Sequence, residues 1–226
     1  MNNAAKKVIL INGSPKTSEI SVSGTLAGIL EQLLNSEGIC VKNICVRKSI
    51  SKDNDQNFID MMEANALVFL FPLYFFCLPG VLIRYLQDCC EFFGRQYKDT
   101  DGPKIYAVVN CGFPESNINS EALRIIKSFS AHINASYRFG ISLGGGGMFL
   151  GAQQAPFMKK PINALNAAFA GIADDIAATG PPGEDVYIEP KFSRALYFLG
   201  GNMGWKQISR KNGLKSKDLY RQPYKA

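Results

Sequence analysis

Residues 66–71, ALVFLF, are six apolar side chains in a row. Successive side chains of a strand point to opposite faces, so a half-solvated strand alternates apolar with polar residues. An unbroken apolar strand must be covered on both faces, which is the position of a central strand in a parallel sheet sandwiched by helices. That requirement excludes most all-β and all-α arrangements and asks for helices on either side.

The rest of the chain supplies them. Residues 7–12, KVILIN, form a short strand dense in β-branched residues and stopped by Gly13, Ser14 and Pro15. Leu26, Ile29, Leu30, Leu33 and Leu34 recur at helical spacing over about 23–36, and Gly38 supplies the stop. A second strand is expected at 39–46 and a short helix near 56–64. Pro79 suits the first turn of a helix over 79–94, where a missing amide proton loses no bond. A fourth strand at 104–111 precedes a helix that Ser116 or Asn117 can cap, with Ile125, Ile126, Phe129 and Ile133 on one face. A fifth strand near 137–143 ends in Gly144 to Gly147. Met158, Ile162, Leu165, Phe169, Ile172 and Ile176 mark the helix that covers it. Residues 178–185, ATGPPGED, read as a turn region, and Phe192, Leu196, Leu199 and Met203 mark one further helix.

Strands alternating with helices imply parallel strands joined by right-handed crossovers. The expected fold is therefore α/β, a doubly wound five-stranded parallel sheet with helices on both faces, plus an additional C-terminal helix. The 226 residues suit a single domain, with its core at about 7–180 and a C-terminal helix and basic tail at 190–226.

Composition narrows the class. Apolar residues at 46% and charged residues at 19% belong to a globular protein, not a disordered chain. No apolar run reaches the roughly 20 residues of a membrane helix. The longest, 66–83, is interrupted by Pro72 and Pro79, and MNNAAKK opens no signal-peptide pattern. A cytoplasmic protein without membrane contact is expected. The six cysteines (Cys40, Cys45, Cys77, Cys89, Cys90, Cys111) follow no metal-binding spacing, and His132 is the one histidine, so no metal site is expected. Residues 191–226 hold nine Lys or Arg against Asp218, a net +8 that leaves −2 for the rest of a chain whose total is +6. The basic excess thus belongs to the tail. It reads as a solvated segment or as an anion- or partner-binding one, and it gives no reason to expect nucleic acid.

Ligands of open parallel sheets bind outside the carboxyl ends of the strands, so the loops after the first, third and fourth strands are where a site is expected. The first reads INGSPKTSEISVSGTL, with Ser14, Thr17, Ser18, Ser21, Ser23 and Thr25 before or within the first turn of a helix. Helix-start amides, hydroxyls and Lys16 together suit a phosphate dianion; an ordinary capped turn has the same composition. Neither the nucleoside-triphosphate loop pattern nor the three-glycine dinucleotide pattern is present. The second loop, FPLYFFCLPG, places Tyr74, Phe75 and Phe76 on a turn between Pro72 and Pro79. They suit a flat aromatic ligand, or burial under the last helices or a dimer interface. The third, NCGFPESN, turns at Gly112 and Pro114 with Phe113 at its border.

Asn12-Gly13-Ser14-Pro15-Lys16 followed by Ser21-Val22-Ser23, together with Pro72-Leu73-Tyr74 ahead of Leu78-Pro79-Gly80, resembles the NAD(P)H-dependent FMN reductases and related flavodoxin-like oxidoreductases. The turn Cys111-Gly112-Phe113-Pro114-Glu115 is similar to that of a subgroup. The resemblance covers about residues 7–145. It implies that Ser14, Lys16, Ser21, Val22 and Ser23 surround an FMN phosphate. It further implies that Pro72, Leu73, Tyr74, Phe75 and Phe76 follow the flavin ring, with Cys111, Gly112 and Phe113 on its other border. Many members carry Arg where this chain has Lys16, which replaces a bidentate phosphate contact with a point charge. Phe75 and Phe76 stand where Gly or Trp is often found.

With FMN bound and NAD(P)H as reductant, the cofactor carries the chemistry, and no catalytic acid or base is expected. The expected function is passage of hydride or electrons to a small-molecule acceptor such as a flavin or quinone, by a homodimer or higher homo-oligomer. A flavodoxin-type electron carrier, or a flavin-free interaction protein that keeps the fold, stands as the alternative. His132 is expected on a helix away from these loops, and Cys111 as a buried structural thiol.

Overall fold

The computed structural model describes residues 6–16, 21–49, 54–95, 102–191, 193–222 and 224. Thr17, Ser18 and Phe192, which entered the expectations above, lie outside them. The chain divides into two compact units, Met1–Pro190 and Lys191–Ala226.

In the first unit, β1 (Lys7–Asn12) is followed by α1 (Val22–Ser36) and β2 (Cys40–Cys45). Short α2 (Val46–Ser49) and α3 (Asp55–Glu63) lead to β3 (Ala66–Pro72), then α4 (Gly80–Arg95) and β4 (Lys104–Asn110). A 3₁₀ turn at Ser116–Asn119 precedes α5 (Ser120–His132), β5 (Ser136–Leu143), α6 (Met148–Gly151), α7 (Lys159–Ala177) and β6 (Val186–Ile188). The sheet order is β2-β1-β3-β4-β5-β6, and every pairing is parallel. Its first five strands follow the 2-1-3-4-5 order of the flavodoxin-like doubly wound fold, with the switch point between β1 and β3.

The apolar run ALVFLF is the central strand β3, buried from Ala66 to Phe71. Its side chains divide between two cores, as strand pleating dictates. Val8, Leu10, Val68, Leu70, Val108 and Ile141 pack on the side that α1 and α7 cover, against Leu26, Leu30, Phe169 and Ile172. Ile9, Ile11, Leu67, Phe69, Phe71 and Val109 pack on the opposite side, with Phe58 of α3, Leu82 and Tyr85 of α4 and Ile126 and Phe129 of α5.

The sheet has six strands where five were expected. The sixth, β6, is three residues long and pairs Ile141 with Val186 and Leu143 with Ile188 at the sheet edge. Three residues are too few for a periodic pattern, and the strand exists through its neighbour's free edge. The turn region ahead of it lies where the sequence placed it. A register shift between Ile105 and Tyr106 gives β5 one extra residue, Arg138. Such a bulge re-aims a side chain, and Arg138 pairs with Asp175 of α7 through Nε and Nη2 at 2.7 and 2.6 Å. Tyr106 donates its hydroxyl proton to the same carboxylate at 2.6 Å.

The second unit holds α8 (Arg194–Lys211) and a 3₁₀ turn at Ser216–Tyr220. Ser193 caps the helix by accepting from the amide of Leu196 at 3.2 Å. At the other end Gly213, with φ of 72°, lets the amide of Leu214 return to the carbonyl of Ser209 at 2.9 Å. Among the described residues no helix is long and apolar enough to cross a membrane.

Candidate functional site

The loop after β1 is held by its own polar side chains. Gly13 extends the β1–β3 pairing by donating to the carbonyl of Leu70 at 2.9 Å. A Cβ on Gly13 would lie 2.7 Å from Leu82 Cδ2 and 3.1 Å from Phe71 Cβ, so α4 packs directly on the turn. Asn12 Oδ1 accepts from the amide of Ser14 at 3.0 Å, a side-chain-closed turn that redirects the backbone. Of the hydroxyl residues expected near this helix start, Ser21 is the N-cap of α1, and its Oγ accepts from Gly24 at 3.0 Å. The amide of Thr25 returns to the carbonyl of Ser21 at 2.9 Å. By the geometry of a helix start, the amides of Val22 and Ser23 have no acceptor within the helix. The first turn carries no acidic residue to oppose an anion there.

The loop after β3 is a tight hairpin. Tyr74 and Cys77 exchange both backbone hydrogen bonds at 2.9 Å, leaving Phe75 and Phe76 as the two turn residues. Their φ angles are 48° and 60°. Two successive left-handed residues are the geometry in which Asn-Gly is preferred, because a side chain there crowds the backbone. Phe at both positions stores strain on the order of 1–3 kcal/mol each. Phe75 is 98% exposed and Phe76 61%. The ring of Phe76 stacks on that of Phe113 from the next loop, with centroids 6.0 Å apart and planes 18° from parallel.

The loop after β4 is strapped from behind by the glycine turn after β5. The amides of Gly145 and Gly146 donate to the carbonyls of Phe113 and Cys111 at 2.5 and 2.7 Å. A Cβ on Gly144 would come within 1.9 Å of the carbonyl oxygen of Pro114, so these two turns touch backbone to backbone. Cys111 is buried and directs its thiol to the carbonyls of Phe113 and Glu115 at 3.4 and 3.7 Å. Burial pushes that thiol up from its ordinary value, which keeps it protonated at neutral pH.

These three loops enclose one open cleft of about 230 Å³ at the carboxyl ends of β1, β3 and β4. Its first wall is Ser14, Lys16, Ser21, Val22 and Ser23; its second is Pro72, Leu73 and Tyr74; its third is Cys111 and Gly112. Ten of the thirteen residues singled out in the sequence therefore meet there. Phe75, Phe76 and Phe113 stand outside this lining, the last two as the stacked pair. The cleft also takes in Asn110 and Gly147, which sequence reasoning missed. Asn110 is 4% exposed and donates through Nδ2 to Ser23 Oγ at 2.9 Å and to the carbonyl of Phe71 at 3.1 Å, while its backbone carbonyl accepts from the amide of Leu73 at 2.8 Å. One residue, through its side chain and its backbone, thus ties all three walls together. The available signal was a lone polar residue closing the apolar strand KIYAVVN.

His132 ends α5 and is exposed, its Nδ1 2.8 Å from the carbonyl of Ser128, remote from these loops in the chain. Among the described residues, no group of three His, Cys, Asp or Glu is placed to hold a metal ion.

No protein-family model matches the chain, and no curated protein matches it. Solved structures do. The azoreductase of Bacillus anthracis str. Sterne is 18% identical with a TM-score of 0.52, over 76% of this chain and 98% of that one. The general stress protein 14 of Treponema denticola, solved in complex with FMN, is 18% identical with a TM-score of 0.56, over 76% and 99%. The NAD(P)H:quinone oxidoreductase of Methanothermobacter marburgensis is 15% identical with a TM-score of 0.56, over 80% and 100%. Similarity at this level of identity shows the fold: the chain is α/β with a flavodoxin-like sheet, shared with an azoreductase, an NAD(P)H:quinone oxidoreductase and a protein solved with FMN.

Proposed function

We propose that this chain is an FMN-dependent NAD(P)H oxidoreductase that passes hydride or electrons through the bound flavin to a small-molecule acceptor. The observation that carries the reading is the convergence on one cleft of a hydroxyl-rich helix start, an aromatic hairpin and a glycine turn. The fold neighbours, one of which was solved with FMN, support the same reading.

The donor set fits a phosphate. Lys16, Val22 and Ser23 line the cleft, where a helix N-terminus favours negative charge. Ser21 Oγ and Ser23 Oγ each accept a hydrogen bond from the protein, which leaves their protons for an acceptor in the cleft. The cleft is smaller than the roughly 300–1,000 Å³ of sites that engulf a whole ligand. Ser14, Lys16, Ser21, Val22 and Ser23 would hold the phosphate end there, and Tyr74, Cys111 and Gly112 would border the ring. FMN bound there would supply the hydride and electron chemistry. The chain's own part is to hold the phosphate, to fix the ring with Leu73 and Tyr74, and to leave one ring face open beside Gly112, which has no side chain to block it.

An absorbance spectrum of the protein, an FMN titration, and anaerobic mixing with NADH and NADPH test the reading. Uptake of FMN in a one-to-one ratio, followed by bleaching with either donor, is the expected result. A protein that gains no flavin absorbance on addition of FMN would overturn it.

A further inference from the structure

Half of the large apolar side chains that stand exposed among the described residues fall in the second unit, Lys191–Ala226. The same unit carries the basic excess of the chain. The two properties are laid out along α8 rather than around it. Residues 195–205, ALYFLGGNMGW, hold no charged side chain, whereas Lys206, Arg210 and Lys211 crowd the last turns. Lys215, Lys217 and Arg221 continue the run, and all six cations are exposed. The unit's one acid is turned to internal use: Asp218 Oδ2 accepts from the amide of Lys215 at 2.8 Å, and Oδ1 lies 3.9 Å from Arg221 Nε. The surface offered to a partner is therefore apolar at one end and positive at the other.

We propose that this unit is a membrane-surface anchor, in which residues 195–205 enter the interface of an anionic bilayer and the cations from Lys206 to Arg221 lie on the lipid phosphates. Like-signed charge opposes pairing of this segment with the same segment of a second copy. A soluble polyanion would answer the cations and leave Leu196, Leu199 and Met203, all more than half exposed, in water. A bilayer surface answers both, with anionic headgroups above an apolar layer. Trp205, Tyr220 and Tyr224 are exposed as well, and such rings favour that boundary because they are apolar with one hydrated polar group. At 1.5 Å per residue the uncharged stretch is about 16 Å long, roughly half the hydrocarbon thickness, so it reaches no farther than one leaflet. This departs from the expectation of no membrane contact: the lack of a spanning run excludes crossing, not surface binding. The anchor requires nothing of the flavin site.

Trp205 is the chain's one tryptophan, so its emission reports on the segment directly. The full chain is mixed with vesicles of phosphatidylcholine alone and of phosphatidylcholine with an equal share of phosphatidylglycerol, at low and high salt, and binding is read by sedimentation and by Trp205 emission. Sedimentation with a blue shift is expected on the anionic vesicles, with binding at least about tenfold weaker on phosphatidylcholine alone and at high salt. Lys206→Ala, Arg210→Ala and Lys211→Ala combined should weaken binding about a hundredfold, and Leu196→Ser with Leu199→Ser about tenfold. These positions are exposed, and circular dichroism checks the fold of each variant; the wild-type comparison of the two lipid compositions decides the question without them. Wild-type protein that stays in the supernatant of anionic vesicles with unshifted emission overturns the anchor. So does equal binding to the two compositions. A blue shift that grows with protein concentration in the absence of lipid would place a second copy over the segment and overturn it too.

Discussion

The side chain of Asn110 donates to Ser23 Oγ at 2.9 Å, joining the last residue of β4 to the first turn of α1 across the carboxyl edge of the sheet. The same Nδ2 donates to the carbonyl of Phe71. Asn110→Leu leaves a buried carbonyl and a buried hydroxyl without their donor, a loss of about 1–3 kcal/mol. The urea midpoint should fall accordingly, and FMN affinity should fall by about tenfold because Ser23 loses its orientation. Asn110→Asp should do worse for FMN, since it adds a negative charge beside the phosphate position.

Lys16 is exposed and is a point charge rather than a fork. Lys16→Ala should weaken FMN binding by about fivefold to tenfold and flatten its salt dependence, because an exposed cation acts through a screened attraction. Lys16→Arg should bind FMN at least as tightly as the wild type, through two parallel hydrogen bonds to the phosphate. Fluorescence quenching titrations at low and high salt separate the two variants. Equal affinity of the wild type and Lys16→Ala at low salt would remove Lys16 from the phosphate site.

Much of this architecture is legible in the residues, for identifiable reasons. ALVFLF reads as a central strand because only two-sided burial tolerates it, whereas which of the six hydroxyl residues caps α1 is decided only in the folded chain, where Ser21 takes that place. The cleft walls are legible because an open parallel sheet leaves few places for a ligand. The three-residue β6 carries no period, so it is found only in the folded chain. Gly147 reaches the cleft because the turn after β5 straps the turn after β4, a contact between segments about thirty residues apart that no local pattern records. The left-handed pair Phe75 and Phe76 is hidden for the opposite reason: its residue type argues against the conformation it adopts.

Gly144 has no room for a side chain. A methyl group there would fall 1.9 Å from the Pro114 carbonyl oxygen, which is backbone and cannot rotate away. Gly144→Ala should cost about 3 kcal/mol or prevent folding, because the two turns must separate. Gly147→Ala meets nothing within 4 Å and should keep wild-type stability within about 0.5 kcal/mol. Paired denaturation curves compare the two positions.

Asp175 pins α7 to the sheet through Arg138 and Tyr106. The hydrogen bonds from Arg138 hold its carboxyl below the usual carboxylate range. A carboxylate whose value is depressed on folding contributes stability that is complete above its unfolded value of about 3.9 and fades as pH falls through the lower folded value. Asp175→Asn should therefore cost about 3–5 kcal/mol at pH 7, where it strands the buried Arg138, and less at pH 3. Urea unfolding at several values between pH 3 and pH 7 measures the convergence. Parallel curves for the two proteins would show that Asp175 is not the titrating group.

Phe75 offers the cleanest reading of strain in the hairpin after β3. Its φ of 48° disfavours a bulky side chain, and at 98% exposure its ring gives no packing in return. Asn tolerates the left-handed region because its short side chain bonds locally. Phe75→Asn should therefore raise stability by about 1 kcal/mol, seen as a higher urea midpoint at unchanged slope. Phe76→Asn relieves similar strain but gives up the stack on Phe113, so its gain should be smaller. The difference between the two substitutions measures the worth of that stack in the free protein. A Phe75→Asn variant no more stable than the wild type would mean that the Tyr74–Cys77 hydrogen bonds hold the turn without stored strain.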